Sequence, residues 1–365
     1  MHRFTAAIIS TFLLSVSVRA EELPIFTNGT GDCHTYRIPS LITAANGDIL
    51  AFAEARKNGG GDAGDIDIVL RRSTDAGKTW NALQTVWDDT SNTCGNPCPV
   101  VDAKSGAIHL LLTWNSGAEH EGDIRSGKAP LGRRPYHTVS TDHGITWTKP
   151  TDISAQADRS EWRWYATGPG RGIQLAHGAH SGRFVIPANH SRADGTYDAH
   201  AIISDDGGAS WHLSAPLGDG ANESCVVELP DGALLFNTRM QTHSQGTRAT
   251  ARSTDGGEKW TPLIHEKALP CPRCEGSFLR WSFSSAGEKS ILLFCNPAGP
   301  GRSNITLRAS LDEGTTWPHS LNIFARKGPG YTALARLSGD KIGVLHETPT
   351  GIVLQAIALS ALLKQ

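Results

Sequence analysis

The sequence predicts an all-β chain folded as a six-bladed β-propeller of four-stranded antiparallel blades. That expectation rests on three observations. One octapeptide pattern, Ser-x-Asp-x-Gly-x-x-Trp, recurs five times, beginning at Ser73, Ser140, Ser204, Ser253 and Ser310. Its tryptophans, Trp80, Trp147, Trp211, Trp260 and Trp317, stand 67, 64, 49 and 57 residues apart. A mean period of about 59 divides the chain after residue 20 into about six units, one of them without the pattern. Finally, 39 glycines and 19 prolines among 365 residues exceed the usual ~12% share. Such a chain needs many tight turns, as short strands do and long helices do not.

The first twenty residues differ from the rest. Arg3 gives a positive start, Ala6 to Val18 is mostly apolar, and Val18-Arg19-Ala20 supplies small residues at a cleavage point. This is the pattern of a secretory signal peptide cut after Ala20, and its apolar stretch is too short to span a bilayer. Residues 21–365 contain no linker or low-complexity stretch and are expected to form one domain. Within it, alternating runs precede the octapeptides: Ala199, Ala201 and Ile203 before the third, Ile305, Leu307 and Ala309 before the fifth. Period two marks a strand with one buried face. In the octapeptide the Asp can accept from turn N–H groups, the Gly tolerates positive φ, and the Trp opens the next strand. Each copy is therefore read as a β-hairpin, and Asp75, Asp142, Asp206 and Asp255 as structural. The apolar run from Gly351 to Ser360 is a terminal strand that completes a blade begun by the other end.

Composition excludes several classes. Basic residues number 34 and acidic ones 36, a net charge of −2, which is no electrostatic footprint for nucleic acid. A 39% hydrophobic share with ten Trp excludes wholesale disorder. Seven Cys cannot all pair within one chain. Cys94 and Cys98 with Cys271 and Cys274 have zinc-like spacings, but export favours disulfides or inert buried thiols, and no metal is expected. No nucleotide, flavin or haem motif is present, so no cofactor is implied.

The five octapeptides together with Tyr36-Arg37-Ile38-Pro39 resemble the sialidase (neuraminidase) superfamily. The resemblance extends through Ala51-Phe-Ala-Glu-Ala-Arg56, Asn96 to Asp102, Gly168-Pro-Gly170 and Glu223 to Glu228. It implies a six-bladed propeller that removes terminal α-linked sialic acids from glycans, with sialylated glycoproteins, glycolipids and oligosaccharides as partners. It also implies the site residues. Sialic acid bears a carboxylate on its anomeric carbon, and arginine holds a carboxylate with a planar fork. Arg37, Arg239 in Asn237-Thr-Arg239 and Arg302 in Gly301-Arg302-Ser-Asn304 match the family's three arginines. Asp62, in the glycine-rich run Asn58 to Asp67, matches the acid/base; Asp65 is its fallback, and Asp67 lies in the following strand.

Sialidases depart from the two-carboxylate scheme of other glycosidases. A carboxylate nucleophile would be repelled by the substrate's own carboxylate, whereas a neutral tyrosine is not. Tyr331 in Gly328-Pro-Gly-Tyr331 matches the nucleophile and Glu223 its activating base, the usual nucleophile–base pairing. Tyr36 and Glu228 are the competitors. Glu347 resembles the acid that orients Arg37, and Arg56 and Asn96 resemble residues on the sugar's O4 side. Trp114, Trp162, Trp164, Tyr165, Asn189 and His190 are unranked candidates for the N-acetyl pocket.

The resulting expectation is a secreted or periplasmic, retaining exo-α-sialidase with Tyr331 as nucleophile and Asp62 as acid/base. A non-catalytic glycan-binding propeller is the alternative. Transfer, anhydro-sugar release or preference for a deaminated sialic acid are variants within the family. Four Asn-x-Ser/Thr sequons occur, at Asn28, Asn189, Asn222 and Asn304. Glycans at Asn222 and Asn304 would obstruct the expected pocket, which points to a bacterial source.

Overall fold

A computed structural model describes residues 20–284 and 289–365. All but the last residue of the expected signal peptide lie outside the described residues. The chain is all-β, with β1 (Leu23–Thr27), β2 (Thr35–Thr43), β3 (Ile49–Arg56), β4 (Ile66–Ser73), β5 (Gln84–Trp87), β6 (Thr93–Val101), β7 (Ile108–Asn115), β8 (Arg134–Ser140) and β9 (Thr151–Asp152) in its first part. Then come β10 (Trp162–Thr167), β11 (Ile173–Gln174), β12 (Phe184–Arg192), β13 (Tyr197–Ser204) and β14 (His212–Leu213). They are followed by β15 (Ala221–Glu228), β16 (Leu234–Met240), β17 (Thr247–Ser253) and β18 (Ile264–Pro270). The last sets are β19 (Ser277–Ser282), β20 (Ile291–Pro297), β21 (Ile305–Ser310), β22 (His319–Phe324), and β23 (Thr332–Arg336), β24 (Lys341–Thr348), β25 (Gly351–Ala358).

The arrangement is a β-propeller, but the expected six separate four-stranded blades do not form. Among the described residues four sheets have the size of a blade. Three have four strands, β15–β18, β19–β22 and β1-β25-β24-β23, and the fourth has five, β10–β14. The remaining strands, β2–β9, make one eight-stranded sheet. Its halves are joined by a parallel pairing of β4 with β6 at Ile66 and Thr93, and Ile66 N–H also donates to Asn92 O at 3.1 Å. Hairpin spacing reports strands that follow one another; it carries no sign of a bridge between two sets of them.

Two local expectations also change. The octapeptide Trp lies in the turn, before the next strand: Trp80 precedes β5 and Trp260 precedes β18. The turn itself is as expected. In the last copy Asp312 accepts from Thr316 N–H at 2.8 Å and Thr316 O–H at 2.6 Å, and Ser310 Oγ accepts from Gly314 N–H at 2.9 Å. The alternating runs are buried on both faces, because each sheet packs between neighbours. In β21, Ile305, Leu307 and Ala309 join a core cluster with β19, β20 and β24. On the other face Arg308 is buried and donates to Asn296 Oδ1 at 3.1 Å.

Around the centre, β2 packs on β6 and β23, and β19 on β15 and β23. The ends of the chain meet in one sheet. β1 pairs antiparallel with β25, from Leu23 with Leu354 to Thr27 with Gly351, as the sequence predicted for a terminal strand. All seven Cys are free and buried, so of the two fates foreseen for them the chain adopts inert thiols.

Candidate active site

The central strands begin at one end of the ring, and there β2, β6 and β15, among others, depart from regular pairing. The register shifts in β2 between Arg37 and Ser40, in β6 between Gly95 and Cys98, and in β15 between Ala221 and Ser224. Ile38 and Asn96 take positive φ, 56° and 55°. Bulges re-aim side chains, and these turn Arg37, Asn96, Asn222 and Glu223 into a common pocket. Arg37, Arg56, Asp62, Asn96, Glu223, Arg239, Arg302 and Tyr331 all line it. Residues separated by up to 294 positions in sequence thus share one cavity.

Glu347 lies behind the wall and accepts four bonds. Arg37 donates to it through Nε at 2.8 Å and Nη2 at 3.3 Å, Ile38 N–H at 3.0 Å and Tyr331 N–H at 2.9 Å. Burial opposes the Arg37 charge, but the Glu347 carboxylate outweighs it and the guanidinium pKa is raised. Burial likewise opposes ionisation of Glu347, yet Arg37 holds its carboxyl below the ordinary value. This pair therefore stays charged.

Tyr331 is 6% exposed, and its hydroxyl donates to Glu223 Oε1. Arg239 Nη1 reaches Glu223 Oε2 at 2.6 Å and the Tyr331 oxygen at 3.3 Å. Arg37 and Arg302 stand 5.1 Å and 5.3 Å from the centre of the Tyr331 ring. Burial first, and then the Glu223 charge, push the phenol pKa well up. Tyr331 is therefore neutral at rest, and Glu223 is in contact with its proton. Arg302 donates to Pro329 O at 3.0 Å and Arg273 O at 3.1 Å and makes no carboxylate contact among the described residues. Its charge is left for a ligand.

Asp62 sits on the glycine-rich loop, with 64% of its side chain exposed, and pairs with Arg56 Nη1 at 2.7 Å. Burial of the carboxyl against the wall raises its pKa, but Arg56 and Arg37 overcome this and the net shift is downward. Arg56 is fixed from behind by Glu54, through Nε at 3.0 Å. Glu54 also accepts from Asn96 N–H at 2.8 Å.

The competitors lie elsewhere. Asp67 is buried and paired with Lys57 at 2.9 Å. Asp65 borders a neighbouring hollow formed by its own loop. Tyr36 packs in the core on Phe26 and donates to Thr30 O at 2.9 Å. Glu228 faces a different cavity and accepts from Ala176 and His177 N–H groups, both at 2.8 Å. Of the six N-acetyl candidates, Trp164 and Asn189 line the pocket; Trp162, Tyr165 and His190 are packed in the interior, and Trp114 donates to Asp89 at 2.6 Å.

Five lining residues escaped the sequence reading as site residues: Glu54, Glu121, Arg133, Ala166 and Gln241. Arg133 is buried, donates to Asn115 Oδ1 at 2.6 Å, and lies 4.5 Å from the Trp164 ring centre. Burial lowers its pKa to about 10. Nothing in Gly132-Arg133-Arg134-Pro135 distinguishes it from a surface arginine. Glu54 was within sight, since it alternates with Arg56 on a strand. Asn222 and Asn189 are buried and bonded to each other at 3.1 Å, so neither sequon is open to a glycan in the folded chain.

Residues 47–344 match the BNR repeat-like domain family. The chain is 35% identical over 343 residues to a sialidase of Micromonospora viridifaciens, covering 91% of this chain and 52% of that protein. It is 33% identical to an exo-alpha-sialidase of Aspergillus fumigatus, covering 86% and 79%. Among solved structures, the Hadza microbial sialidase Hz136 superposes with a TM-score of 0.82 at 30% identity, covering 91% of this chain and 67% of that one. The chain thus spans about half the length of the Micromonospora protein.

Proposed function

Because this chain belongs to the sialidase family, with its BNR repeat-like domain, we propose that it is a retaining exo-α-sialidase acting on terminal sialic acids of glycans. The observation that carries this reading is the Tyr331 hydroxyl bonded to Glu223 in a pocket with three arginines. Arg37, Arg239 and Arg302 take the substrate carboxylate. Tyr331 Oη attacks the anomeric carbon as its proton passes to Glu223, and the bond to the leaving oxygen breaks while Asp62 supplies that oxygen's proton. In the second half Asp62 takes a proton from water, the water oxygen attacks the same carbon, and Tyr331 leaves with its proton returned by Glu223. Two displacements retain the configuration.

The geometry also favours catalysis over simple glycan capture. A binding module needs the arginines but has no use for a buried phenol held on a carboxylate. The signal-peptide pattern of residues 1–20 supports an exported enzyme.

The decisive experiment follows an aryl α-sialoside and a natural sialoside by NMR with wild type and Tyr331→Phe. Wild type should release the α-anomer first, and Tyr331→Phe should lose at least ~10³-fold in kcat while still binding free sialic acid. Wild-type turnover in Tyr331→Phe would remove the nucleophile assignment. First appearance of the β-anomer would remove retention.

A further inference from the structure

Where the chain enters β23, the N–H groups of two successive residues, pointing to opposite sides, are taken by acidic side chains from two different sheets. Tyr331 N–H donates to Glu347 Oε2 at 2.9 Å, and Thr332 N–H donates to Glu275 Oε2 at 3.0 Å. Glu347 belongs to β24, in the sheet of Tyr331 itself. Glu275 belongs to the turn before β19, in the neighbouring sheet. The same turn, Cys271-Pro-Arg-Cys-Glu275, makes further contacts with the site. Arg273 O accepts from Arg302 Nη2 at 3.1 Å, and Cys274 Sγ lies 3.8 Å from Pro329 O. Pro329 O in turn accepts from Arg302 Nη1 at 3.0 Å. Two residues on, Leu334 N–H donates to Ser277 Oγ at 2.9 Å. The Cys271–Glu275 turn is thus a shelf under the Pro329–Thr332 segment.

We propose that Glu275 is a positioning residue for Tyr331: through the Thr332 amide it fixes the phenol at the height where it meets both Glu223 and the anomeric carbon. This rests on the sialidase reading above. Glu275 is 2% exposed and its Oε1 is buried with no partner among the described residues. Burial above all, with the Glu223 and Glu347 charges adding, pushes its pKa well up against the opposing Thr332 bond. A carboxyl whose charge is disfavoured in this way still offers the amide an acceptor oxygen beside the charges of Glu223 and Glu347. It needs only an acceptor oxygen, which glutamine also has. Without the acceptor a buried N–H is orphaned and the segment can shift, and a displacement of about 1 Å at a reacting group costs on the order of 10²-fold in rate.

The test compares Glu275→Gln, Glu275→Ala and Glu275→Met; Met fills the space without offering a strong acceptor. For a natural sialoside, Ala and Met should lower kcat ~10- to 100-fold with KM within about twofold, since Arg37 and Arg239 are held by Glu347 and Glu223 and not by this turn. Gln should keep kcat within about threefold of wild type. Hydrogen exchange should accelerate at the Thr332 amide in Ala and Met, recover in Gln, and stay unchanged at Leu334. Wild-type kcat in Ala and Met, or equal impairment in Gln and Met, overturns the proposal. A parallel fall in kcat and binding also overturns it, since that marks general loosening of the pocket. If wild type turns over no α-sialoside, the sialidase reading fails, while the exchange rates still decide whether Glu275 holds Thr332.

Discussion

Asp62 is the member of the site least restrained by the fold. It lies on a glycine-rich loop, its one ion pair among the described residues is with Arg56, and its lowered pKa leaves it ionised at neutral pH. A general acid must carry a proton, so for alkyl leaving groups kcat/KM should fall as pH rises through the acid range. Loss of the acid matters in proportion to how badly the leaving oxygen needs a proton. Asp62→Ala should reduce kcat on a natural sialoside by ~10²- to 10⁴-fold, yet cost less than about tenfold on an aryl sialoside with an acidic phenol. Equal losses on both substrates would assign Asp62 to binding. Arg37, Asp62, Glu223, Arg239, Arg302 and Tyr331 were reached through their match to the family's motifs, and the structure brings them into one pocket; only the choice of tyrosine was narrow, since the chain has five. Arg133 and Glu275 were not legible. Each owes its role to burial beside partners far away in the chain, and local sequence does not report burial.

Among the elements, the bulges at Arg37–Ser40 and Gly95–Cys98 had a visible signal, Pro39 and Pro97, since proline interrupts a ladder. The bulge at Asn222 and Glu223 had none. A second feature at this scale is two pairs of buried imidazoles. His109 Nδ1 lies 3.1 Å from His137 Nε2, and His190 Nδ1 lies 3.0 Å from His200 Nδ1. They flank one aromatic cluster, with His137 5.2 Å from Trp211 and His190 stacked 3.6 Å from Trp162. Burial lowers all four, His137 to about 4 and His190 to about 3. Unfolded imidazoles titrate near 6.5, so below that pH the unfolded chain binds protons that the folded chain refuses. Stability is then full above about 6.5 and declines as pH falls, by up to ~1.4 kcal/mol per pH unit for each imidazole. The melting temperature should drop between pH 7 and pH 5, and His137→Gln should make that drop shallower. An equal change in wild type and His137→Gln across this interval would refute the account.

For the whole molecule, the repeat spacing correctly indicated a propeller. It missed the joining of β2–β9 into one sheet, because the Ile66–Thr93 bridge is made by backbone groups that any residue carries. Closure of the ring was legible from the terminal apolar strand. It depends on β1, where Phe26 is 1% exposed and packs 5.4 Å from Tyr36, ring centre to ring centre. Phe26→Ala should cost ~3–5 kcal/mol, seen as a lower urea midpoint, with kcat of the folded fraction unchanged. An unchanged midpoint would mean that the seam contributes little to stability.

The same seam sets a timetable for the molecule's birth. A ribosome makes β1 first and β25 last, so the first strand waits through more than 320 residues of synthesis for the partner it meets between Leu23 and Leu354. The pocket is drawn from the same two extremes, with Arg37 near the start and Tyr331 and Glu347 near the finish. A nascent chain therefore has neither a closed ring nor a complete pocket, and a translation product cut short before residue 331 lacks Tyr331. On the sialidase reading, activity therefore waits until β23, β24 and β25 have left the exit tunnel and joined β1.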